Sequence, residues 1–195
     1  MAEKILERTT SQENRKTRYT KQVIREVFIQ LLQEQPLEKV TVTRICELAD
    51  ISRGTFYLHY NDPYDLLAIM ENEFLADLKQ QLLEKTVAAT IDYSKNPLFW
   101  LDILKWLSAD KKLAQLFFAN PNSTFMTKCL ALNRAFSDNL CKLQYPEKTQ
   151  TERDYMHTFY EHGSASVIGQ WVKNGFQEPP EQIAEYLTSL NMKGC

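Results

Sequence analysis

The chain has 195 residues, of which 44% are hydrophobic and 25% are charged, so it has the composition of a globular protein that can bury a core. It has no apolar run of the roughly 18 residues that cross a membrane, and its amino terminus lacks the apolar segment of a signal peptide. These features exclude the membrane and secreted classes and predict a cytoplasmic protein. A formal net charge of −2 excludes a protein that is basic over its whole surface.

Positive charge is concentrated near the amino terminus. Residues 1–60 carry 10 basic and 8 acidic side chains, whereas residues 61–195 carry 13 and 17. Five basic residues follow one another without an intervening acid, and these are Arg15, Lys16, Arg18, Lys21 and Arg25. Such a segment indicates a local anionic partner, although a solvated helix face has the same pattern.

The amino-terminal third of the chain predicts three helices. Apolar residues recur at three- and four-residue spacing from Val23 to Leu32, so a first amphipathic helix should end before Pro36. Thr41 is suited to cap a second, short helix, and Ser52 to cap a third that runs to about Tyr60. Two short helices joined by a tight turn, after a longer helix, form a helix-turn-helix, whose second helix lies in the major groove of DNA.

The rest of the chain also predicts helices. Asp62 and Pro63 are suited to the N-cap and first position of a long fourth helix. Further helices are expected at about residues 98–108, 110–119, 122–143, 150–174 and 180–190. We therefore predict an all-α protein with a three-helix DNA-binding domain at residues 1–62 and a helical effector-binding and dimerisation domain at residues 63–195.

The residue types around the third helix fit contacts with DNA. Arginine can bridge the O6 and N7 atoms of guanine, and a threonine methyl group can contact a thymine methyl group, so Arg53 and Thr55 are predicted to read bases. Gly54 would keep the helix close to the groove. Basic, hydroxyl and imidazole groups at flanking or capping positions are predicted to contact phosphates, and these belong to Arg18, Lys21, Thr41, Ser52, Tyr57 and His59. The alternative is a buried three-helix core without a DNA role.

Residues 41–67, TVTRICELADISRGTFYLHYNDPYDLL, resemble the amino-terminal helix-turn-helix of the TetR family of bacterial transcriptional regulators. Aromatic, small and capping positions match in register from Val40 to Leu67. The resemblance implies a regulator, expected to be a repressor, that binds a palindromic operator as a homodimer. It also implies a carboxy-terminal domain for dimerisation and for a small-molecule effector.

Two positions depart from the family pattern. Asp50 stands in the turn where the family usually has glycine, and aspartate tolerates the left-handed conformation better than most residues. Pro63 stands where the family usually has a lysine that contacts phosphate. This second departure keeps an alternative open, which is a TetR-like coactivator that works through protein contacts without its own operator.

The segment from Gly163 to Ala184 resembles the carboxy-terminal region of a TetR subgroup that includes dihydroxyacetone-kinase operon regulators. Small residues at positions 163–166 would let another helix approach closely, and two helices from each chain could form a four-helix dimer interface. The residues assigned to that interface are Gly163, Ala165, Ile168 and Trp171. The alternative is packing within one chain.

Aromatic residues are dense in the carboxy-terminal domain. Ligand pockets in helical domains are apolar with a few polar groups, so a pocket for an effector is predicted here, although a plain aromatic core has the same composition. The residues assigned to the pocket are Trp100, Phe118, Tyr155, Phe159, Tyr160 and His162.

No enzyme, cofactor or metal motif is found in the sequence. A glycine-rich phosphate loop and a Gly-x-Ser-x-Gly elbow are both absent, so no catalytic residue and no cofactor is assigned. His157 and His162 are five residues apart, so they diverge on a helix and do not suggest a metal site. The four cysteines lack paired spacing and are expected to be free thiols.

Overall fold

The computed structural model describes residues 15–86 and 97–193. These residues form nine α-helices and no strand, so the predicted all-α fold is confirmed within these ranges. The helices are α1 (Arg15–Glu34), α2 (Val42–Ala49), α3 (Arg53–Tyr57), α4 (Pro63–Thr86), α5 (Pro97–Ala109), α6 (Lys111–Ala119), α7 (Phe125–Gln144), α8 (Gln150–Lys173) and α9 (Pro180–Lys193). A 3₁₀ turn, Leu37–Lys39, separates α1 from α2. Across the described ranges, no helix has the length and apolar character needed to cross a membrane.

The observed helix bounds differ from the predicted ones where short turns replace the ends of helices. Helix α7 begins at Phe125 rather than at residue 122. The backbone N–H of Asn122 donates to the Asn120 side chain (2.9 Å), and that of Phe125 donates to Ser123 Oγ (3.2 Å), so this segment forms its own turns. Helix α3 ends at Tyr57 and thus contains only five residues.

The chain forms two compact units that divide between Leu67 and Ala68. This division falls inside α4, after its first turn, where Leu66 and Leu67 are both buried. The boundary proposed from the sequence, between residues 62 and 63, assigns functions to the two parts and stays a prediction.

The core of the amino-terminal unit forms where α1, α2 and α3 bury their apolar faces. Ile24 and Phe28 from α1, Ile45 from α2 and Phe56 from α3 are all 0% exposed. Each comes from a helix whose apolar residues recur at helical spacing, so three amphipathic faces converge on one centre. Arg25 Nε also donates to the buried Tyr60 hydroxyl (3.2 Å), which ties α1 to the segment after α3.

The core of the carboxy-terminal unit is built mainly from α5, α8 and α9. Its buried apolar residues are Leu104, Leu107, Ala114, Ile168, Trp171, Val172, Phe176, Ile183, Ala184 and Leu187. Helix α8 ends in a Schellman motif, in which Phe176 N–H donates to the Trp171 carbonyl (3.0 Å) and Gly175 N–H to the Val172 carbonyl (3.0 Å). Gly175 has a φ of 78°, a conformation that glycine adopts without strain.

Helix α4 is fixed to this unit by aromatic packing and by one buried carboxylate. The centroid of the Phe74 ring lies 4.3 Å from that of Trp106 and 5.2 Å from that of Phe125. Glu71 is 2% exposed and accepts hydrogen bonds from Thr124 N–H (2.9 Å) and from Lys128 Nζ (3.0 Å). The side chains that hold α4 therefore come from α5, α7 and the turn before α7.

Candidate nucleic-acid interface

The turn between α2 and α3 has the caps that the sequence predicts. The Thr41 hydroxyl accepts from Arg44 N–H (3.2 Å) at the start of α2, and the Ser52 hydroxyl accepts from Thr55 N–H (3.1 Å) at the start of α3. Asp50 has a φ of 51°, so it takes the left-handed conformation in place of the family's glycine. The helix-turn-helix is confirmed, and both caps are part of its structure.

Helix α3 buries one aromatic side chain and exposes polar ones. Phe56 is 0% exposed and anchors the helix on the core, whereas Arg53 and Tyr57, one turn apart, are exposed, with Tyr57 at 57%. Gly54 is exposed, and a Cβ there would meet only Ser52 Oγ at 3.7 Å, an ordinary contact, so packing within the chain does not require glycine. Arg53, Gly54 and Tyr57 are therefore accessible on α3 within the described part of the chain.

Thr55 and His59 are less accessible than the sequence analysis expects for contact residues. Both are half-buried. The Thr55 hydroxyl lies 2.9 Å from Ser52 Oγ, so this hydroxyl belongs to the cap of α3. The Thr55 hydroxyl therefore has a partner within the chain before any contact with DNA.

The structure adds Thr43, a residue that the sequence analysis does not identify. Arg53 Nη2 donates to Thr43 Oγ1 at 2.7 Å, so the first turn of α2 holds the guanidinium at the start of α3. The spacing of ten residues across a turn is not a recognisable sequence signal. The sequence gives one weak signal for Thr43, which is that it follows the capping residue Thr41 closely at the start of α2.

The basic segment lies on α1. Arg18 is exposed and Lys21, one turn later, is half-buried. Arg25 differs from both, because its bond to the Tyr60 hydroxyl makes it part of the core described above. The exposed basic residues of this segment, Arg15, Lys16 and Arg18, therefore lie in the amino-terminal half of α1.

The start of α4 is acidic where the family pattern has lysine. Asp62 Oδ1 accepts from Asp65 N–H (2.8 Å) and so caps this helix, and Asp65 Oδ2 accepts from Asn61 N–H (2.8 Å) in the preceding turn. Pro63 is buried at the first helical position. This position has a stable cap and lacks a basic group.

The residues assigned to an effector pocket do not share one environment. Tyr155 and Phe159 are 74% and 71% exposed, and His162 is also exposed, so these three do not line the interior of a single chain. The other three, Trp100, Phe118 and Tyr160, are half-buried, and Trp100 and Phe118 pack against the core of the carboxy-terminal unit. Within residues 15–86 and 97–193, no three His, Cys, Asp or Glu side chains are grouped so as to hold a metal ion.

The residues assigned to a dimer interface divide into two groups. Ile168 and Trp171 are 8% and 2% exposed in the single chain, and Trp171 Nε1 donates to the Glu178 carbonyl (2.9 Å), so both belong to the intrachain core. Gly163 is exposed, and a Cβ there would meet nothing within 4 Å; Ala165 is half-buried. Of the four residues, only Gly163 and Ala165 reach the surface.

Comparison with known proteins identifies the chain's relatives. Residues 98–193 match the TetR-type family model described as "Transcriptional regulator C-terminal region". No curated protein matches the sequence.

Several solved structures share the fold. The dihydroxyacetone kinase operon activator DhaS is 20% identical with a TM-score of 0.54, and the match covers 90% of this chain and 95% of that chain. The transcriptional regulator FadR from Bacillus subtilis, in complex with stearoyl-CoA, is 16% identical with a TM-score of 0.65 and coverage of 89% and 98%. A TetR-family transcription regulator from Shewanella sp. PV-4 is 18% identical with a TM-score of 0.61 and coverage of 90% and 97%.

The amino-terminal motif, the all-helical fold and the carboxy-terminal family match agree with one another. They confirm the family that the motif from Val40 to Leu67 predicts. Residues 98–193 of this chain thus belong with the carboxy-terminal region of TetR-type transcriptional regulators, the family that its amino-terminal motif resembles.

Proposed function

We propose that this protein regulates transcription by binding a palindromic duplex operator sequence-specifically, with α3 in the major groove, and that it is a repressor without catalytic activity. One observation carries the proposal: α3 buries Phe56 and presents Arg53 and Tyr57 on one exposed face. The activity belongs in the cytoplasm, where bacterial DNA lies.

Residues on this surface have two roles in the proposal. Arg53 and the methyl group of Thr55 read bases, because they stand at the amino-terminal end of the recognition helix. The second group holds phosphates and consists of Arg18, Lys21, Thr41, Ser52, Tyr57 and His59. Gly54 lets the helix approach the groove, which agrees with the absence of any packing need for glycine there.

Substitutions in the two groups should have different effects on DNA binding. Arg53→Ala removes a possible bidentate guanine contact, so preference for the operator over other sequences should fall, by about 1–3 kcal/mol per half-site. Lys21→Ala removes a phosphate contact, so affinity for all duplexes should fall together and the slope of log K against log salt should decrease by about 1 per contact. Tyr57→Phe keeps the ring and should weaken binding without loss of fold.

The experiment begins with DNA fragments selected by the pure protein. Affinities of each variant are then measured for the selected operator and a scrambled duplex at several salt concentrations. Lys79→Ala, at an exposed position in the second unit, is the matched control and should leave the salt slope unchanged. If the wild-type protein binds no duplex, the coactivator alternative replaces the operator-binding role. A reporter gene placed behind the selected operator distinguishes repression from activation.

We infer that the protein dimerises through α8 and α9, because a palindromic site matches a two-fold symmetric protein. Exposed residues recur every four positions on α8 at Tyr155, Phe159 and Gly163, and on α9 at Tyr186 and Leu190. Exposed aromatic rings in a row are typical of a surface that another chain covers. This stripe replaces Ile168 and Trp171 in the proposed interface.

A substitution at Gly163 tests the dimer separately. Because a Cβ there meets nothing within 4 Å in the single chain, Gly163→Trp should leave the fold intact and block close approach of a second copy. Light scattering should show a monomer for Gly163→Trp and a dimer for the matched control Gly163→Ala. A dimer mass for both variants contradicts this placement.

We propose that a small molecule regulates DNA binding through the carboxy-terminal unit. The related fold of FadR from Bacillus subtilis holds stearoyl-CoA, and the half-buried aromatic residues Trp100, Phe118 and Tyr160 provide apolar surface in this chain. An effector must prefer one of two protein arrangements, and typical coupling changes affinity by about 5- to 150-fold. Operator affinity is measured with a long-chain acyl-CoA and with free coenzyme A as control. A change below about twofold excludes this ligand class.

A further inference from the structure

The recognition helix begins with a side chain that the protein already holds in place. Arg53 is exposed at the first position of α3, and its Nη2 group donates to Thr43 Oγ1 at 2.7 Å. Thr43 lies in the first turn of α2, where the hydroxyl of a different residue, Thr41, caps the helix. The Thr43 hydroxyl is therefore not used by the cap of its own helix and is directed to the guanidinium.

Thr43 is a well-defined acceptor. Threonine is branched at Cβ and has two favoured side-chain rotamers on a helix, so its oxygen has few alternative positions. The bond spans ten residues and links the first turn of α2 to the first turn of α3. It therefore connects the Arg53 side chain to the helix that precedes it in the helix-turn-helix.

The bond leaves Arg53 able to act on DNA. A guanidinium has five N–H donors, and one bond to Thr43 leaves enough of them for the O6 and N7 atoms of guanine. The acceptor is an uncharged hydroxyl, so it does not neutralise the positive charge, as a carboxylate would. Another basic residue of this surface, Arg44, donates instead to the carboxylate of Glu47 (3.3 Å).

Orientation before binding matters because an exposed arginine has many rotamers. Ordering a flexible side chain at an interface costs on the order of 1 kcal/mol, and a side chain that is already ordered avoids most of this cost. We propose that Thr43 is a positioning residue that orients Arg53 for base reading, so that the pair, rather than Arg53 alone, sets operator specificity. This inference rests on the proposed function, in which Arg53 reads bases.

A set of variants tests the pair against the operator and the scrambled duplex. Thr43→Val keeps the branched shape and removes the hydroxyl, so the operator-to-scrambled affinity ratio should fall by about 3- to 10-fold per half-site. Thr43→Ser keeps the hydroxyl and should retain the ratio within about twofold. In the Arg53→Ala background, Thr43→Val should change the ratio no further, because the side chain that it orients is absent.

A second measurement does not need DNA. Side-chain ¹⁵N relaxation of the Arg53 Nε–H group in the free protein should report a restricted guanidinium in the wild type and in Thr43→Ser. It should report a mobile one in Thr43→Val, with the backbone spectrum otherwise preserved. A merely structural role for Thr43 would alter the backbone spectrum without this selective change.

The outcomes separate this inference from the proposed function. If Arg53→Ala lowers the ratio but Thr43→Val does not, Arg53 reads bases unaided and the inference is overturned alone. If Thr43→Val lowers the ratio equally with and without Arg53, Thr43 contacts DNA directly and the positioning role is overturned. If Arg53→Ala leaves the ratio unchanged, or no duplex is bound, the base-reading role fails and the inference fails with it, whatever the relaxation data show.

Discussion

The buried carboxylate of Glu71 should be the polar group on α4 whose loss most destabilises the carboxy-terminal unit. Glu71 is 2% exposed, and its two oxygens accept from Thr124 N–H (2.9 Å), Thr124 Oγ1 (2.8 Å) and Lys128 Nζ (3.0 Å). Glu71→Gln keeps the shape and one acceptor oxygen but places an NH₂ group against donors. The Thr124 hydroxyl can rotate and accept, whereas the Lys128 ammonium cannot accept a hydrogen bond.

The expected destabilisation depends on whether the former partners of Glu71 find other hydrogen bonds in the variant. Breaking a buried ion pair costs about 3–5 kcal/mol when the remaining charge stays uncompensated. The Lys128 side chain is 29% exposed and keeps its bond to Asn72 Oδ1 (2.8 Å), so part of its charge is satisfied. We therefore expect the low end, about 3 kcal/mol, which corresponds to a fall in Tm of roughly 10 °C for a domain of this size.

Tryptophan fluorescence is the appropriate assay. All three tryptophans, Trp100, Trp106 and Trp171, lie after residue 68, so their emission follows the carboxy-terminal unit. Glu73→Gln makes the same charge change at an exposed position of α4 and should alter stability by less than about 0.5 kcal/mol. A double-mutant cycle with Lys128→Met should give a combined loss smaller than the sum. A Glu71→Gln midpoint within about 2 °C of wild type would refute the reasoning.

Three further predictions concern single sites. Burial disfavours the ionised form of Glu71, but hydrogen bonds from neighbouring groups outweigh it and hold its pKa below the ordinary value of 4.5. Its stabilisation is thus present above pH 4.5 and lost as the pH falls through the folded pKa, so wild type and Glu71→Gln should converge in Tm on acidification; a constant gap contradicts this. Burial, with a smaller effect of the Glu71 charge, raises the pKa of the Cys129 thiol to about 12. Cys129 should therefore resist iodoacetamide at pH 8 in the folded protein, as peptide mass spectrometry can show, and rapid labelling would count against it. Asp50→Gly should stabilise the amino-terminal unit by about 0.5–1 kcal/mol because φ is 51° there, and Asp50→Val should destabilise it. Hydrogen exchange of the Phe56 amide measures both, and an Asp50→Gly variant that exchanges faster would refute the prediction.

Local interactions explain why the helices could be predicted from the sequence. The caps by Thr41 and Ser52, and the break at Asp62 and Pro63, depend on contacts within about four residues, so residue type and spacing are sufficient to predict them. The left-handed conformation of Asp50 was expected from the family resemblance, because the family usually has glycine in this turn and aspartate tolerates that conformation better than most residues.

The sequence by itself therefore determined that the described residues, 15–86 and 97–193, form helices without strands, where the amino-terminal helices start, and which of them form the helix-turn-helix. It also showed that Trp171, Tyr155 and Phe159 lie where aromatic residues are dense, which is typical both of a core and of a binding surface. Composition does not reveal what covers an aromatic side chain. Only the tertiary structure decided that Trp171 packs inside its own chain while Tyr155 and Phe159 stay exposed.

Contacts between distant residues were decided only by the fold. Arg53 meets Thr43 across ten residues, and Glu71 meets Lys128 across 57, and neither pair has a sequence spacing that marks it. In a sequence of this length, many residues could in principle form a hydrogen bond with a given hydroxyl or carboxylate. The packing of whole helices, which sums many weak apolar contacts, selects which of those partners comes within hydrogen-bonding distance.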